Sequence, residues 1–148
     1  MSDTSDREFV ITRLLRAPCA RVFAAWTSPA EVDLWMGPDD FVTTTISMDV
    51  RVGGLWRYTM SHPVHGTFPN RIAYLTVEPL NRLEYLHGTD DEPDQFHVTV
   101  TFEAQSAETL LTMRGVFPTA EVLEQKKRFG AIEMGHQTMR RLAVHVES

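Results

Sequence analysis

Apolar residues recur at steps of three and four along the last thirty residues of the chain, which is the spacing of one face of an α-helix. Charged residues occupy most of the positions between them, as on a face that meets water. The pattern predicts one helix over residues 119–147, roughly 43 Å long at about 1.5 Å per residue. A helix of this length cannot bury its apolar stripe alone, so the preceding residues must supply a surface for it. The stripe consists of Phe129, Ile132, His136, Met139, Ala143 and Val146.

Most of the chain before this helix alternates between polar and apolar residues or is rich in β-branched and aromatic residues, which is typical of β-strands. Two short helices are predicted between the first two strands. The first begins at Pro18, whose missing N–H costs nothing at a helix start, and the second begins at Ser28, which forms an S-x-x-E capping box with Glu31. Residues 61–70 and 89–95 are predicted to be loops. The predicted strands cover residues 8–16, 41–50, 55–60, 71–79, 82–87, 96–104 and 109–117.

The predicted element order is β-α-α-β6-α, an α+β fold. Consecutive strands with short connections favour one antiparallel sheet of seven strands. A curved sheet that closes on one long helix leaves a space between them, so an internal cavity is predicted. Residues 1–7 are expected to be a flexible N-terminus, and residues 8–148 are expected to form a single domain.

Composition narrows the class of protein. The net charge of −6 and the pI near 5.4 argue against a nucleic-acid or anionic-membrane surface. The single cysteine, Cys19, excludes an internal disulfide framework and suits a reducing compartment. No apolar run approaches the roughly 20 residues of a membrane helix, and the polar first residues do not read as a signal peptide. We therefore expect a cytoplasmic protein that does not insert into membranes.

Five segments carry a resemblance to a known family. In chain order they are APCARVFAAWTSPAEVDLWMGP (17–38), DVRVGGLWRYTM (49–60), GTFP (66–69), VEPLNRLEYL (77–86) and MGHQTMRRLAVHV (134–146). The chain resembles the homologues of the activator of the heat-shock-protein-90 ATPase. That family lies within the helix-grip (SRPBCC) superfamily of START domains, birch-pollen-allergen-like proteins and polyketide cyclases. The resemblance implies a helix-grip fold, in which a seven-stranded antiparallel sheet grips a C-terminal helix. It implies less about activity, because fold alone does not fix chemistry.

Eight residues are predicted to lie near the cavity. His136 is the polar position of the C-terminal stripe and is expected to orient a ligand. The alternative for His136 is a buried histidine bonded to a strand, and the alternative for the aromatic residues is a filled core. The predicted ligand-binding residues are Trp35, Trp56, Tyr58, Tyr74, Tyr85, Phe102, His136 and Met139.

Motifs for other chemistry are weak in this sequence. His62 and His65 form an H-x-x-H in a predicted loop without a third ligand, so no metal site is predicted. There is no G-x-S-x-G, no G-x-G-x-x-G and no Walker motif, so no nucleophile or phosphate cofactor is indicated. No catalytic residue and no cofactor are predicted, and the sequence favours a binding protein over an enzyme.

Three functions are considered. The first is binding of a hydrophobic or aromatic small molecule, such as a lipid or polyketide, between the sheet and the C-terminal helix. The second is a protein-interaction module that stimulates a chaperone ATPase, as the family resemblance implies. The third is a cyclase or hydrolase that uses the same pocket. The sequence leaves a homodimer open.

Overall fold

The computed structural model describes residues 4–148, and its elements follow the predicted order up to the last helix. The chain forms an α+β fold with one seven-stranded antiparallel curved sheet, as predicted. The elements are β1 (Glu8–Leu15), α1 (Cys19–Thr27), α2 (Pro29–Trp35), β2 (Val42–Met48), β3 (Leu55–His62), β4 (Gly66–Glu78), β5 (Arg82–Gly88), β6 (Phe96–Gln105), β7 (Glu108–Val116), α3 (Ala120–Arg128) and α4 (Ala131–Glu147).

The strand order is β1-β7-β6-β5-β4-β3-β2, so the first two strands lie at opposite edges of the sheet. Helices α1 and α2 carry the chain from one edge to the other. The register of β2 with β3 shifts between Thr45 and Ser47, and that of β4 with β5 shifts between Tyr74 and Thr76. Irregularities of this kind bend strands and increase their twist, which helps the sheet to curve around the helices.

The core lies between the helices and one face of the sheet. On β3, Trp56 and Tyr58 are each 1% exposed, and on β6 the buried residues alternate with less buried ones. Helix α4 buries Met139, Leu142, Ala143 and Val146. These residues belong to one hydrophobic cluster that also includes residues of α1, α2 and β1.

The predicted loop over residues 61–70 is wrong, because β3 and β4 form a tight hairpin that turns between His62 and Gly66. Pro69 made the segment read as a loop, since proline cannot donate a ladder hydrogen bond. Pro69 lies where β4 pairs only with β3, because pairing with β5 starts at Arg71. A missing donor is tolerated at such an edge.

The prediction of one C-terminal helix is also wrong. Helix α3 ends at Arg128, and Gly130 adopts a left-handed φ of 80° before α4 begins. Glycine takes this conformation without the steric cost that a side chain brings. Helix α3 has its own N-cap, Thr119, whose hydroxyl accepts a hydrogen bond from Val122 N at 3.1 Å. The break leaves Phe129 81% exposed, so it does not join the apolar stripe.

The flexible N-terminus expected over residues 1–7 stays a prediction, and residues 1–3 of it lie outside the described residues. Arg7 donates from Nη1 to the carbonyl of Phe117 at 2.7 Å, and the Phe117 N–H donates to the carbonyl of Arg7 at 2.8 Å. This pairing extends the contact between β1 and β7 by one residue.

The predicted capping box does not form. Ser28 is the N-cap of α2, but its side chain makes no capping bond. Glu31 instead binds the Arg21 guanidinium and lies 2.9 Å from His145 Nε2. Burial raises the pKa of Glu31, but the hydrogen bonds and charges of Arg21 and His145 outweigh that effect and lower it. The carboxylate therefore links α1, α2 and α4.

Candidate functional site

A cavity of about 230 Å³ lies between the sheet and the helices α1, α3 and α4. Strands β1, β3, β5, β6 and β7 supply its sheet side, and the segment 36–38 closes another side. Most of the lining is apolar, and aromatic rings come from five different elements and from the segment after β7. The lining residues are Phe9, Trp26, Met36, Gly37, Pro38, Tyr58, Met60, Tyr85, His87, Phe96, Val98, Met113, Phe117, Lys126, Ala131, Gly135, Thr138 and Met139.

Helix α4 holds the loop 36–41, part of which forms a wall of the cavity. Arg141 Nη1 donates to the carbonyls of Gly37 at 2.8 Å and Pro38 at 3.0 Å, with longer contacts to Met36 and Phe41. Arg140 forms an ion pair with Asp39 in the same loop. The position of this wall therefore depends on the polar face of α4.

Gly135 allows α4 to approach the sheet closely. A Cβ atom at this position would lie 2.8 Å from Ile11 Cδ1 on β1. Gly135 also lines the cavity, so the cavity is bounded there by the close approach of α4 to β1.

His87 is the imidazole of the cavity wall. Its Nε2 lies 2.9 Å from Asn70 Oδ1 and 3.4 Å from the Tyr58 hydroxyl. Because an amide oxygen only accepts, Nε2 carries the proton and donates to Asn70. Burial, together with the positive charge of Lys126, lowers the pKa of His87 to about 4. The ring is therefore neutral at pH 7.

Two tyrosines of the cavity wall remain protonated. Burial raises the pKa of both Tyr58 and Tyr85 well above the ordinary value. Tyr58 stacks on Trp56 with ring centroids 4.2 Å apart. Each hydroxyl can therefore donate as well as accept, but neither can act as a base near neutral pH.

Trp26 lines the cavity and carries a buried indole N–H. The residue is 2% exposed, and its indole N–H has no hydrogen-bond partner within residues 4–148. Its ring packs edge-on against Trp35, with centroids 4.9 Å apart. A buried donor without an acceptor is uncommon and costly in a folded protein.

Three predicted site residues, Tyr58, Tyr85 and Met139, line the cavity. The other aromatic candidates lie in the core beside it, where the two tryptophans have partners. Trp35 Nε1 donates to the carbonyl of Ala25 at 2.9 Å, and Trp56 Nε1 donates to the hydroxyl of Thr45 at 3.1 Å. Buried residues that do not line the cavity are Trp35, Trp56, Tyr74 and Phe102. Ligand contact by any of the candidates stays a prediction.

The prediction that His136 points into the cavity is wrong, because its side chain is exposed on α4. The buried face of the helix includes Leu142 as well as Met139 and Val146. The predicted stripe did not include Leu142. When Leu142 is counted, the centre of the buried face of α4 lies further around the helix from His136. The histidine of the cavity is His87, on β5.

Sequence reasoning missed several lining residues, and for some of them a signal was present. The alternation of RLEYLH places His87 on the same side of β5 as Tyr85, and Phe96 and Val98 alternate in the same way on β6. Lys126 gave no signal, because its place at the cavity depends on the break between α3 and α4.

Other site types were sought in the described part of the chain. No group of three or more His, Cys, Asp or Glu side chains within residues 4–148 is placed to hold a metal ion. None of the helices described here is long and apolar enough to span a membrane. His62 Nδ1 accepts from the backbone N–H of Val64 and His65, at 3.0 and 3.1 Å, so it stabilises the hairpin turn.

A curved antiparallel sheet packed on a C-terminal helix, with an aromatic-lined cavity between them, defines a protein of the helix-grip class. The family described as "Activator of Hsp90 ATPase homolog 1-like protein" matches residues 16–147. The chain belongs to this family, as the sequence predicted. Proteins of this fold generally bind hydrophobic ligands.

Solved structures share the fold at low sequence identity. A protein from Arthrobacter aurescens has a TM-score of 0.89 and 23% identity, over 99% of this chain and 90% of its own. Protein NE0264 from Nitrosomonas europaea has a TM-score of 0.87 and 21% identity, over 97% and 96% of the two chains. Protein Ms6760 from Mycobacterium smegmatis has a TM-score of 0.86 and 23% identity, over 97% and 93%. No functionally curated protein matches the chain.

Proposed function

We propose that the protein binds a small hydrophobic or aromatic molecule in the cavity between the sheet, α3 and α4. The observation that carries this proposal is the cavity itself, about 230 Å³ of space with a mostly apolar, aromatic lining and a few polar groups. Ligand sites in proteins commonly combine an apolar lining with a small number of placed polar groups. Burial of apolar ligand surface would drive binding, at about 25 cal/mol per Å².

The volume restricts the ligand. Engineered apolar cavities of about 150 Å³ bind benzene, and the present cavity of about 230 Å³ is larger by roughly half. It holds one aromatic ring with short substituents. The hypothesis of a lipid ligand also includes sterols and long-chain lipids. These would fit only if the cavity widened, for example by movement of α3.

Other features bear on enzyme activity, nucleic-acid binding, location and oligomeric state. The lining contains one imidazole, that of His87, and no carboxylate, so an acid–base pair for a cyclase or hydrolase is not favoured.

The acidic net charge supports a protein without nucleic-acid partners. Cys19 is a free cysteine, which supports a cytoplasmic location. Sedimentation analysis distinguishes a monomer from the homodimer that the sequence left open.

The proposal is tested by a thermal-shift screen of the purified protein against single-ring and two-ring aromatic compounds. A ligand at a hundredfold over its dissociation constant stabilises the folded state by about 2.7 kcal/mol. For a chain of 148 residues this raises the Tm by roughly 5–10 °C. A screen without any shift, on protein stripped of co-purified molecules, would contradict the proposal.

A chaperone partner, as the family name suggests, is a second candidate, and it is favoured by an exposed apolar patch. Phe129 is 81% exposed, and Phe68 is 43% exposed. Phe68 and Phe129 both line a surface groove between the β3–β4 hairpin and α4. A Phe129→Ser variant should reduce stimulation of a chaperone ATPase while leaving ligand binding unchanged. No stimulation by the unmodified protein would remove this candidate.

A further inference from the structure

Some polar side chains of the cavity lining are already bonded or lie out of reach of a ligand. The Thr138 hydroxyl donates to the carbonyl of Met134 at 2.9 Å. The Trp26 indole nitrogen has almost no accessible surface, and Lys126 is exposed, so its ammonium group can stay in water. The other polar side chains of the lining, all within residues 4–148, are Tyr58, Tyr85 and His87.

Tyr85 presents a hydroxyl without a protein partner. The residue lies on β5 and is 5% exposed, and its hydroxyl makes no hydrogen bond within residues 4–148. Unlike the Trp26 nitrogen, this oxygen is not fully occluded, so an atom in the cavity can reach it. Burial, with smaller effects of Tyr58 and Tyr74, raises the pKa of Tyr85 well above its ordinary value. The hydroxyl therefore keeps its proton and is a donor that lacks an acceptor in the described chain.

His87 presents an acceptor at its second ring nitrogen. Asn70 Nδ2 donates to the carbonyl of Phe68 at 3.2 Å, which identifies Oδ1 as the amide atom 2.9 Å from His87 Nε2. Nε2 therefore carries the proton of the neutral ring, and Nδ1 has a free lone pair. Nδ1 makes no hydrogen bond within the described residues and, like the Tyr85 oxygen, is not fully occluded.

The donor and the acceptor lie close together. Tyr85 and His87 are two residues apart on β5, so their side chains share a face of the strand. Their ring centroids are 6.4 Å apart. Two hydrogen bonds of about 2.8 Å span roughly 5.6 Å, so one ligand oxygen can join rings at this separation. That oxygen must both accept and donate, which a hydroxyl does and an ether or a carboxylate does not.

From these observations we infer that the cavity selects a phenol, whose hydroxyl accepts from Tyr85 Oη and donates to His87 Nδ1. The phenol ring lies against the aromatic lining, where Phe96 and Phe117 stack with centroids 4.8 Å apart. Both groups that contact the ligand hydroxyl are neutral, so the phenol binds in its protonated form. This inference rests on the proposed function and specifies the class of its ligand.

Three matched compounds test the inference: 4-methylphenol, 4-methylanisole and 4-xylene. They share a methyl-substituted ring, but the first donates and accepts, the second only accepts, and the third does neither. We expect titration calorimetry to show the dissociation constant rising roughly three- to tenfold at each step, the usual effect of one neutral hydrogen bond.

Two variants separate the two hydrogen bonds. Tyr85→Phe removes the donor, so it should weaken the binding of 4-methylphenol and 4-methylanisole roughly three- to tenfold without weakening that of 4-xylene. His87→Gln keeps an N–H for Asn70 but lacks the Nδ1 acceptor. It should therefore abolish the preference for 4-methylphenol over 4-methylanisole.

Tyr74→Phe is the matched control. Tyr74 pairs with Tyr85 across β4 and β5 and is 3% exposed, but it does not line the cavity. Removal of its hydroxyl should leave the affinity for all three compounds unchanged. Circular dichroism establishes that each variant is folded.

The inference would be overturned, and the proposed function left standing, by equal binding of the three compounds to the unmodified protein. The same holds if 4-methylbenzoate binds more tightly than 4-methylphenol, because a carboxylate has no proton for Nδ1. An advantage of 4-methylanisole over 4-xylene that survives Tyr85→Phe, or an equal loss in Tyr74→Phe, would also overturn it. Absence of binding by every compound, in the screen as well as here, would overturn both.

Discussion

Val98 and Val100 lie two residues apart on β6, and both are buried. Val98 lines the cavity, whereas Val100 is packed in the core cluster and does not line it. A phenylalanine at each position is the same chemical change on the same face of the same strand. The pair of variants therefore measures whether the space beside β6 can accept atoms.

The two substitutions are expected to change the free energy of unfolding in opposite directions. In Val98→Phe the added carbons enter a cavity of about 230 Å³. Burial at about 0.8 kcal/mol per methylene-sized group, offset by lost rotamer freedom, predicts a gain between zero and about 2 kcal/mol. In Val100→Phe the ring meets packed neighbours, and overpacking costs about 1–3 kcal/mol. Each kcal/mol corresponds to about 2–4 °C in Tm for a chain of 148 residues.

The assay is thermal and urea unfolding of the two variants, followed by circular dichroism, with and without a ligand from the screen. Val98→Phe should unfold at or above the temperature of the unmodified protein and lose the ligand-induced shift. Val100→Phe should unfold earlier but keep the shift. Equal destabilisation by both changes would show that β6 faces no usable space, and the binding proposal would lose its basis.

Three further predictions concern the loop 36–41, the sheet and the imidazole of the cavity wall. Arg141→Met should leave carbonyls of the loop 36–41 without a donor, cost about 1–3 kcal/mol and speed amide hydrogen exchange in that loop. Gly115→Ala should destabilise the fold by about 1–3 kcal/mol, because the new Cβ would lie 2.2 Å from the Phe9 ring, and Phe9→Leu in the same chain should recover part of the loss. Since the pKa of His87 is about 4 in the folded protein against an ordinary 6.5, the unfolded chain takes up the proton first as the pH falls. Stability should therefore decline between about pH 6.5 and 4, by up to roughly 3 kcal/mol, and urea unfolding of His87→Gln should lack this part of the pH dependence.

Each of these predictions has a contrary result. Unchanged exchange in the loop after Arg141→Met would show that its carbonyls are satisfied by water. A Gly115→Ala variant as stable as the unmodified protein would show that the Phe9 ring moves freely. A pH profile that is the same with His87→Gln would assign the acid sensitivity to other groups.

The fold could be predicted because its signals are local and repeated. Alternation on β6 and the apolar spacing of α4 persist over ten or more residues, so single exceptions do not hide them. The tight turn between β3 and β4 was hidden by Pro69, whose effect depends on whether a neighbouring strand is present. The break at Gly130 was hidden because the apolar spacing continues across it.

The residues that line the cavity were predicted less well than the fold. A periodic pattern tells which face of an element is buried, but not whether the buried side chain meets another side chain or a space. Trp56 and Tyr58 share a face of β3, yet only Tyr58 reaches the cavity. His136 was placed inward from an incomplete stripe, and a difference of one residue moves a side chain by about 100° around a helix.

The pairing of β1 with β7 has a consequence for how the chain folds. Glu8 is opposite Val116, so this contact joins residues more than a hundred positions apart. Contacts of such long range slow folding, because the entropy of closing the loop is lost before the contact forms. During synthesis at about 5–20 residues per second, β1 waits roughly 5–20 seconds for its partner strand to emerge. Throughout that interval the apolar side of β1 has no sheet to join and stays open to chaperones that shield nascent chains.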